Sequence, residues 1–288
     1  MNTSHPIGSR PTSSRLTSSR LDTLTPSLRW SAWRSAAMGL CAALGALVAL
    51  VTWAPAAWVA SAVAHLSDGR VMLSGAQGTL WQGSAQLVFS GGAQSQSATR
   101  LPQGVQWHLQ PAWGGLQLEV QAPCCAPALR FDLGLTLSLQ GAALRVHAQD
   151  AQSHWPAHVL AGLGTPWNTL QLQGDLRVQT EQLVLLLGPS SASMQGQLVL
   201  QAQGLSSQLS TLRPMGSYTL TLQGGDTPSL QLRTAQGPLQ LSGEGQWVGS
   251  RLHFSGEARA EPAQEAELAN LLNIMGRRQG ARSVITLG

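Results

Sequence analysis

From about residue 70 to its C-terminus the chain alternates apolar with polar residues, and Gly closes most of the alternating runs. LQLQGDLRVQ (170–179), GQLVLQAQG (196–204), SYTLTLQGG (217–225), SLQLRTAQG (229–237), PLQLSGEG (238–245) and RLHFSGEARA (251–260) all follow this rule. A period of two places successive side chains on opposite faces of a strand, so each run reads as a half-buried strand. VQWHLQP with LQLEVQAP (105–123), and FDLGLTLSLQG with LRVHAQD (131–150), fit the same scheme. Turn signals recur every 8–12 residues or so, which predicts an all-β architecture. Short turns between sequential strands predict a curved antiparallel meander with one face of Leu and Val. That face must be covered by curling into a barrel, by folding into a sandwich, or by a lid.

One segment departs from the alternation. PAQEAELANLLNIMG (262–276) opens on Pro, carries acids early, ends on Gly and repeats Leu268, Leu271, Leu272 and Met275 at helical spacing. These signals predict an amphipathic helix laid on the sheet. A short strand, SVITLG, is expected after it. A weaker helix is expected near HWPAHVLAGLG (154–164).

The start of the chain obeys other rules. No charged residue occurs from Ser35 to Ala64, and residues 36–53 (AAMGLCAALGALVALVTW) are almost wholly apolar. About 20 such residues cross a hydrocarbon core. Trp30, Trp33, Trp53 and Trp58 bracket the run as interfacial aromatics do. Arg10, Arg15, Arg20, Arg29 and Arg34 precede it against Asp22 alone, while the remaining 12 Arg and 12 acids balance. The arginine bias predicts a cytoplasmic N-terminus and an exported body. The expected domains are a disordered tail over 1–34, a transmembrane helix over 35–60 and a periplasmic β-rich domain over 65–288. The rival reading is a cleaved signal peptide ending near Ala60-Ser61-Ala62.

Charge and motifs narrow the function classes. The body is neutral and has no basic stripe for phosphates, so no nucleic-acid partner is expected. No GxSxG, HExxH or phosphate-binding loop occurs, and the acids are widely spaced. The chain is therefore expected not to be an enzyme and to carry no cofactor or metal. His154 and His158 are four apart but lack a third ligand, so two polar side chains are the simpler reading. Cys41 falls in the apolar run. Cys124 and Cys125 are adjacent in PCCAP, on the exported and oxidising side; they read either as a vicinal or intermolecular disulfide or as two small loop residues.

The stretch GTLWQGSAQL (78–87) places Trp81 among small and polar residues just past the apolar run. It resembles the G-T-hydrophobic-W-x-G-x-A signature that follows the membrane helix in the type II secretion system protein N family (general secretion pathway protein N). Further segments similar to that family follow in order: LPQGVQWHLQPAWGGLQLEV (101–120), WNTLQLQGDLRV (167–178), MGSYTLTLQGGDTPSLQL (215–232), GPLQLSGEGQWVGSRLHFSGEA (237–258) and LANLLNIMGRRQGARSVITLG (268–288). The resemblance covers roughly residues 35–288. It implies a single-span inner-membrane protein with a periplasmic β domain. It also implies a role in export of folded proteins across the outer membrane, with other secretion-system proteins as partners. Self-association is left open, and no catalytic residues are carried over.

Within this stretch a hairpin is expected from RVMLSG and GTLWQGSAQLVFS, turning at Gly75 and Gly78, with Gly83 at a bulge or close approach. Gly78, Trp81 and Gly83 are the candidate structural or partner-docking residues. Trp81 is either a core residue whose indole reaches a carbonyl or an anchor for a partner. Two function classes are carried forward. One is a structural component of a secretion machine. The other is a membrane-tethered β module that shelters lipid or another apolar ligand.

Overall fold

The computed structural model describes residues 27–92, 98–138, 141–188, 192–249 and 251–288, with the side chains of the first helix described from Ala37 onward. Residues 1–26 of the expected tail lie outside the described residues. The chain forms two units, Met1–Leu50 and Val51–Gly288. Helix α1 (Ser27–Thr52) runs through the first unit, and its last two residues belong to the second. Met38, Leu40, Leu44 and Leu47 on α1 are all more than half exposed. Among the described residues no helix is long and apolar enough to cross a membrane.

The apolar run does not continue as one helix. Pro55 is extended (φ −71°, ψ 147°) and opens a second helix, α2 (Ala56–Leu66). A proline lacks the N–H that a continuous helix needs and clashes with the preceding turn, so the break falls at this residue.

Every alternating run contributes a strand. The first hairpin is β1 (Val71–Gly78) with β2 (Gln82–Ser90), followed by the short β3 (Ala98–Arg100). Then come β4 (Val105–Ala112), β5 (Gly115–Ala122), β6 (Ala126–Ser138), β7 (Gly141–Ala148) and β8 (Ala151–Pro156). A 3-10 turn (Ala157–Leu163) and α3 (Trp167–Leu170) interrupt the meander. It resumes with β9 (Gln173–Leu187), β10 (Ala192–Ser206), β11 (Gly216–Gln223), β12 (Ser229–Gln236), β13 (Leu239–Val248) and β14 (Arg251–Ala260). Helix α4 (Glu265–Met275), β15 (Arg277–Gln279) and β16 (Arg282–Leu287) end the chain.

Among the described residues, all 16 strands join one antiparallel sheet, ordered β1-β2-β4-β5-β6-β7-β9-β10-β11-β12-β13-β14-β16-β15, with β3 on β2 and β8 on β9. The order has two ends, β1 and β15, so the sheet is open. Of the three ways expected to cover the apolar face, neither the barrel nor the sandwich forms, and lids cover much of it. The main lid is α4, whose Leu268, Leu271 and Leu272 are at most 2% exposed and pack with Leu176, Tyr218, Leu239 and Ala258. Met275 is partly buried against the same cluster. A second cluster gathers Leu101, Val105, Cys125 and Val159 of the 3-10 turn, and a third joins Ala56 of α2 to Ala85 and Trp107.

The weaker helix expected near 154–164 forms only over Ala157–Leu163, as a 3-10 helix. His154 lies on β8 opposite Arg177 of β9, and His158 lies in the 3-10 turn. Pro156 stands between them and denies the helix a backbone donor. The strand expected from residue 170 begins at Gln173, because residues 167–170 form α3.

A meander puts successive turns at opposite ends of its strands. The C-terminal ends of β1, β4, β6, β9, β11 and β13 lie at one end of the sheet. The segment 149–172, the segment 207–215 and α4 lie at the other, where most of the core is.

Candidate functional site

The turn Thr79–Trp81 closes the first hairpin, four residues later than the one expected at Gly75–Gly78. Gly75 has a left-handed φ of +63° but makes a bulge between Ser74 and Gln77, so β1 runs on to Gly78. The Thr79 N–H donates to the Gln82 carbonyl at 2.8 Å, and the Gln82 N–H returns to Thr79 Oγ1 at 3.2 Å. Gly78 adopts φ +93°, and a Cβ there would overlap the Gln82 carbonyl. A residue with a side chain fits neither restraint.

This turn holds the chain that enters the domain. The Leu80 N–H donates to the Ala54 carbonyl at 2.8 Å, and Pro55 and Thr79 form an isolated antiparallel bridge. The Trp81 indole Nε1–H donates to the Val51 carbonyl at 2.9 Å. Carbonyls in the last turn of a helix have no intrahelical partner, so Trp81 satisfies a group that would otherwise need water or a cap. From the other side the Leu109 N–H donates to the Trp81 carbonyl at 2.7 Å. Trp81 is half-buried and belongs to none of the three apolar clusters.

Gly83 is explained by a second indole. Trp107 faces Gly83 across the β2–β4 pair and is only 7% exposed. A Cβ on Gly83 would overlap Trp107 Cζ2 and stand 2.7 Å from the Gln77 carbonyl oxygen. The Trp107 Nε1–H donates to the Leu80 carbonyl at 3.2 Å. Two tryptophans thus clasp one turn. Trp107 ties it to the sheet, and Trp81 ties it to the end of α1.

Beside the clasp, an open depression of about 570 Å³ is lined by Gln77, Gln82, Ser84, Gln106, His108, Glu119 and Gln121. The Glu119 carboxylate accepts from Gln121 Nε2 at 2.7 Å and from Arg130 Nε at 3.1 Å. The Gln121 bond, then the Arg130 bond, hold its carboxyl below the usual glutamate range. On the neighbouring strands burial acts to raise the Asp132 carboxyl, but hydrogen bonds from Gln149, Gln117 and His147 outweigh it and lower it. These carboxylates are satisfied by amides, one guanidinium and the His147 imidazole. Among the described residues no group of three or more His, Cys, Asp or Glu is placed to hold a metal.

The remaining sequence candidates lie apart from the clasp. The Cys124 and Cys125 sulfurs are bonded to each other at 2.11 Å, in the turn between β5 and β6. His154 Nε2 accepts from Arg177 Nε at 3.0 Å. Trp107 is the residue that sequence reasoning missed. Its signal was the alternation VQWHLQ, which places Trp107 on the same face as Val105 and Leu109.

A family model described as type II secretion system (T2SS), protein N, matches residues 69–285. No curated protein and no solved structure matches the chain.

Proposed function

Because the chain belongs to the type II secretion system protein N family, we propose that it is a non-enzymatic inner-membrane component of that pathway. It supports export of folded proteins across the outer membrane. Residues 1–34 lie in the cytoplasm, the apolar run within 35–60 spans the membrane as α1, and residues 65–288 form a periplasmic platform. Hydropathy and the arginine asymmetry support this placement.

The observation that carries the reading is the clasp. A freely tethered domain needs only a flexible linker. Here Leu80 donates to the Ala54 carbonyl just after α1, and Trp81 donates to the Val51 carbonyl in its last turn. That arrangement holds residues 51–54, which lead from the proposed anchor, against the start of the sheet, which suits a scaffold that must present a surface to membrane-bound neighbours. The two ends of the open sheet offer unpaired strand edges to such partners. The test is deletion of the gene. Export of at least one folded periplasmic protein to the medium should fall, while transport across the inner membrane continues. Unchanged export to the medium refutes the assignment.

A second reading, a module that shelters an acyl chain, is favoured by one observation. Leu135, Leu144 and Leu187 are cross-strand partners in a row on β6, β7 and β9, and they are 75%, 38% and 43% exposed. Uncovered aliphatic rows mark binding surfaces for apolar matter. Lipid that co-purifies with the full chain, and is lost from Leu144→Gln, would favour this reading over the scaffold.

A further inference from the structure

The end of the sheet that carries the clasp differs from the other end in what it exposes. Every large apolar side chain on a strand or hairpin turn that is more than half exposed among the described residues lies there. These are Trp113 (106%), Leu135 (75%), Leu137 (86%), Val248 (64%) and Leu287 (59%). Trp113 sits at the β4–β5 turn, and Leu137 sits one residue from the end of β6. Trp53, 84% exposed, is in the linker held by the same clasp.

Charge does not divide the two ends. The stretches from Leu109 to Leu118 and from Leu135 to Leu144 at this end carry none, but Asp226 lies between β11 and β12 here, and the stretch from Val120 to Leu129 at the other end carries none either. Soluble hairpin tips are normally polar, and exposed apolar surface of this kind marks a contact. Tryptophan with aliphatic neighbours and no charge matches the water–hydrocarbon boundary of a bilayer.

Chain connectivity selects that occupant. Val51 and Ala54, which accept the clasp hydrogen bonds, are the last helical turn and the exit of α1. The β4 strand passes the clasp, where Leu109 bonds Trp81, and continues three residues further before Trp113. We propose that this end of the sheet rests on the leaflet from which α1 emerges. The β4–β5 turn and the β6 residues around Leu135 and Leu137 dip into the boundary between headgroups and acyl chains, and Trp53 and Trp113 are the interfacial anchors. The proposal rests on the reading of α1 as a span. Because these stretches carry no charge, the contact depends on apolar burial and is insensitive to salt.

The test uses the full chain with Cys41→Ser, reconstituted into phosphatidylethanolamine–phosphatidylglycerol vesicles. Single cysteines at Ala112, Ala263 or Leu47 carry an environment-sensitive fluorophore. Lipids spin-labelled near the headgroup should quench the Ala112 probe about twofold, as expected for a group seated about 5–10 Å into the interface. The Ala263 probe, at the opposite end, should not respond. Trp113→Gln, at a fully exposed position, should reduce the Ala112 quenching without changing the melting temperature. Raising the salt concentration should leave it unchanged. An unquenched Ala112 probe beside a Leu47 probe quenched by deep spin labels overturns the inference and leaves the span intact. An unquenched Leu47 probe overturns both.

Discussion

Adding one methyl group at Gly83 is the sharpest perturbation of the clasp. Gly83→Ala places a Cβ into Trp107 Cζ2, 2.8 Å from Cε2 and 2.7 Å from the Gln77 carbonyl oxygen. Trp107 has little room to yield. It is 7% exposed, packs with Ala56 and Ala85, and donates to the Leu80 carbonyl. The Gln77 carbonyl belongs to the backbone of β1, whose register Gln77↔Ser84 fixes it. Overpacking of this kind costs about 1–3 kcal/mol. For a domain of this size each kcal/mol lowers the melting temperature by about 2–4 °C, so a drop of about 2–12 °C is expected. The assay is tryptophan-fluorescence melting of the full chain in detergent. The cause is isolated by Trp107→Leu, which removes the ring. Gly83→Ala should cost less in that background, with a coupling of about 0.5–3 kcal/mol and a residue left from Gln77. Equal melting of Gly83→Ala and the unaltered protein would refute the steric account of the motif.

Other outcomes follow from the same contacts. Leu272→Ala, at a fully buried position under α4, should destabilise by about 2–5 kcal/mol; thermal melting checks it, and an unchanged midpoint would show that α4 is not packed. Trp81→Phe removes the bond to Val51 and should cost about 0.5–1.5 kcal/mol while increasing amide exchange over residues 51–54; unchanged exchange there would deny that the indole holds the linker. Asp132 is held below its unfolded value, so the unfolded chain takes up the proton first as pH falls. Its contribution is present above the ordinary aspartate range and is lost below it. Melting temperature measured from neutral pH down to about pH 3 should fall less steeply for Asp132→Asn than for the unaltered protein.

Strand content was legible because each face of the sheet repeats at two residues over long runs, as in SYTLTLQGG and RLHFSGEARA. Helix α4 was legible because Pro262, early acids, spaced Leu and Gly276 agree on one element. Closure was not legible. Whether a meander curls shut depends on what covers its apolar face, and alternation says nothing of the lid. The first turn was misplaced because Gly75 and Gly78 both suit positive φ, and sequence does not distinguish a bulge from a turn. At the clasp, Gly83 read as a bulge or a close approach, and the partner that decides between them, Trp107, is 24 positions away. The acceptor of the Trp81 indole is a backbone carbonyl, which has no sequence signature. Proline at 156 overrode the helical spacing of His154 and His158, a local rule that the apolar pattern around it concealed.

The central claim is that the sheet must be held to its anchor for the pathway to run. The most direct measurement is export of a folded protein to the medium by a deletion strain that supplies the protein in one of two forms. One is the full chain. The other has residues 1–53 replaced by a cleavable signal peptide, which delivers the sheet to the periplasm without α1 and without the Val51 acceptor. The account predicts that the full chain restores export and that the released sheet, present at equal abundance, does not. Full restoration by the released sheet would contradict it.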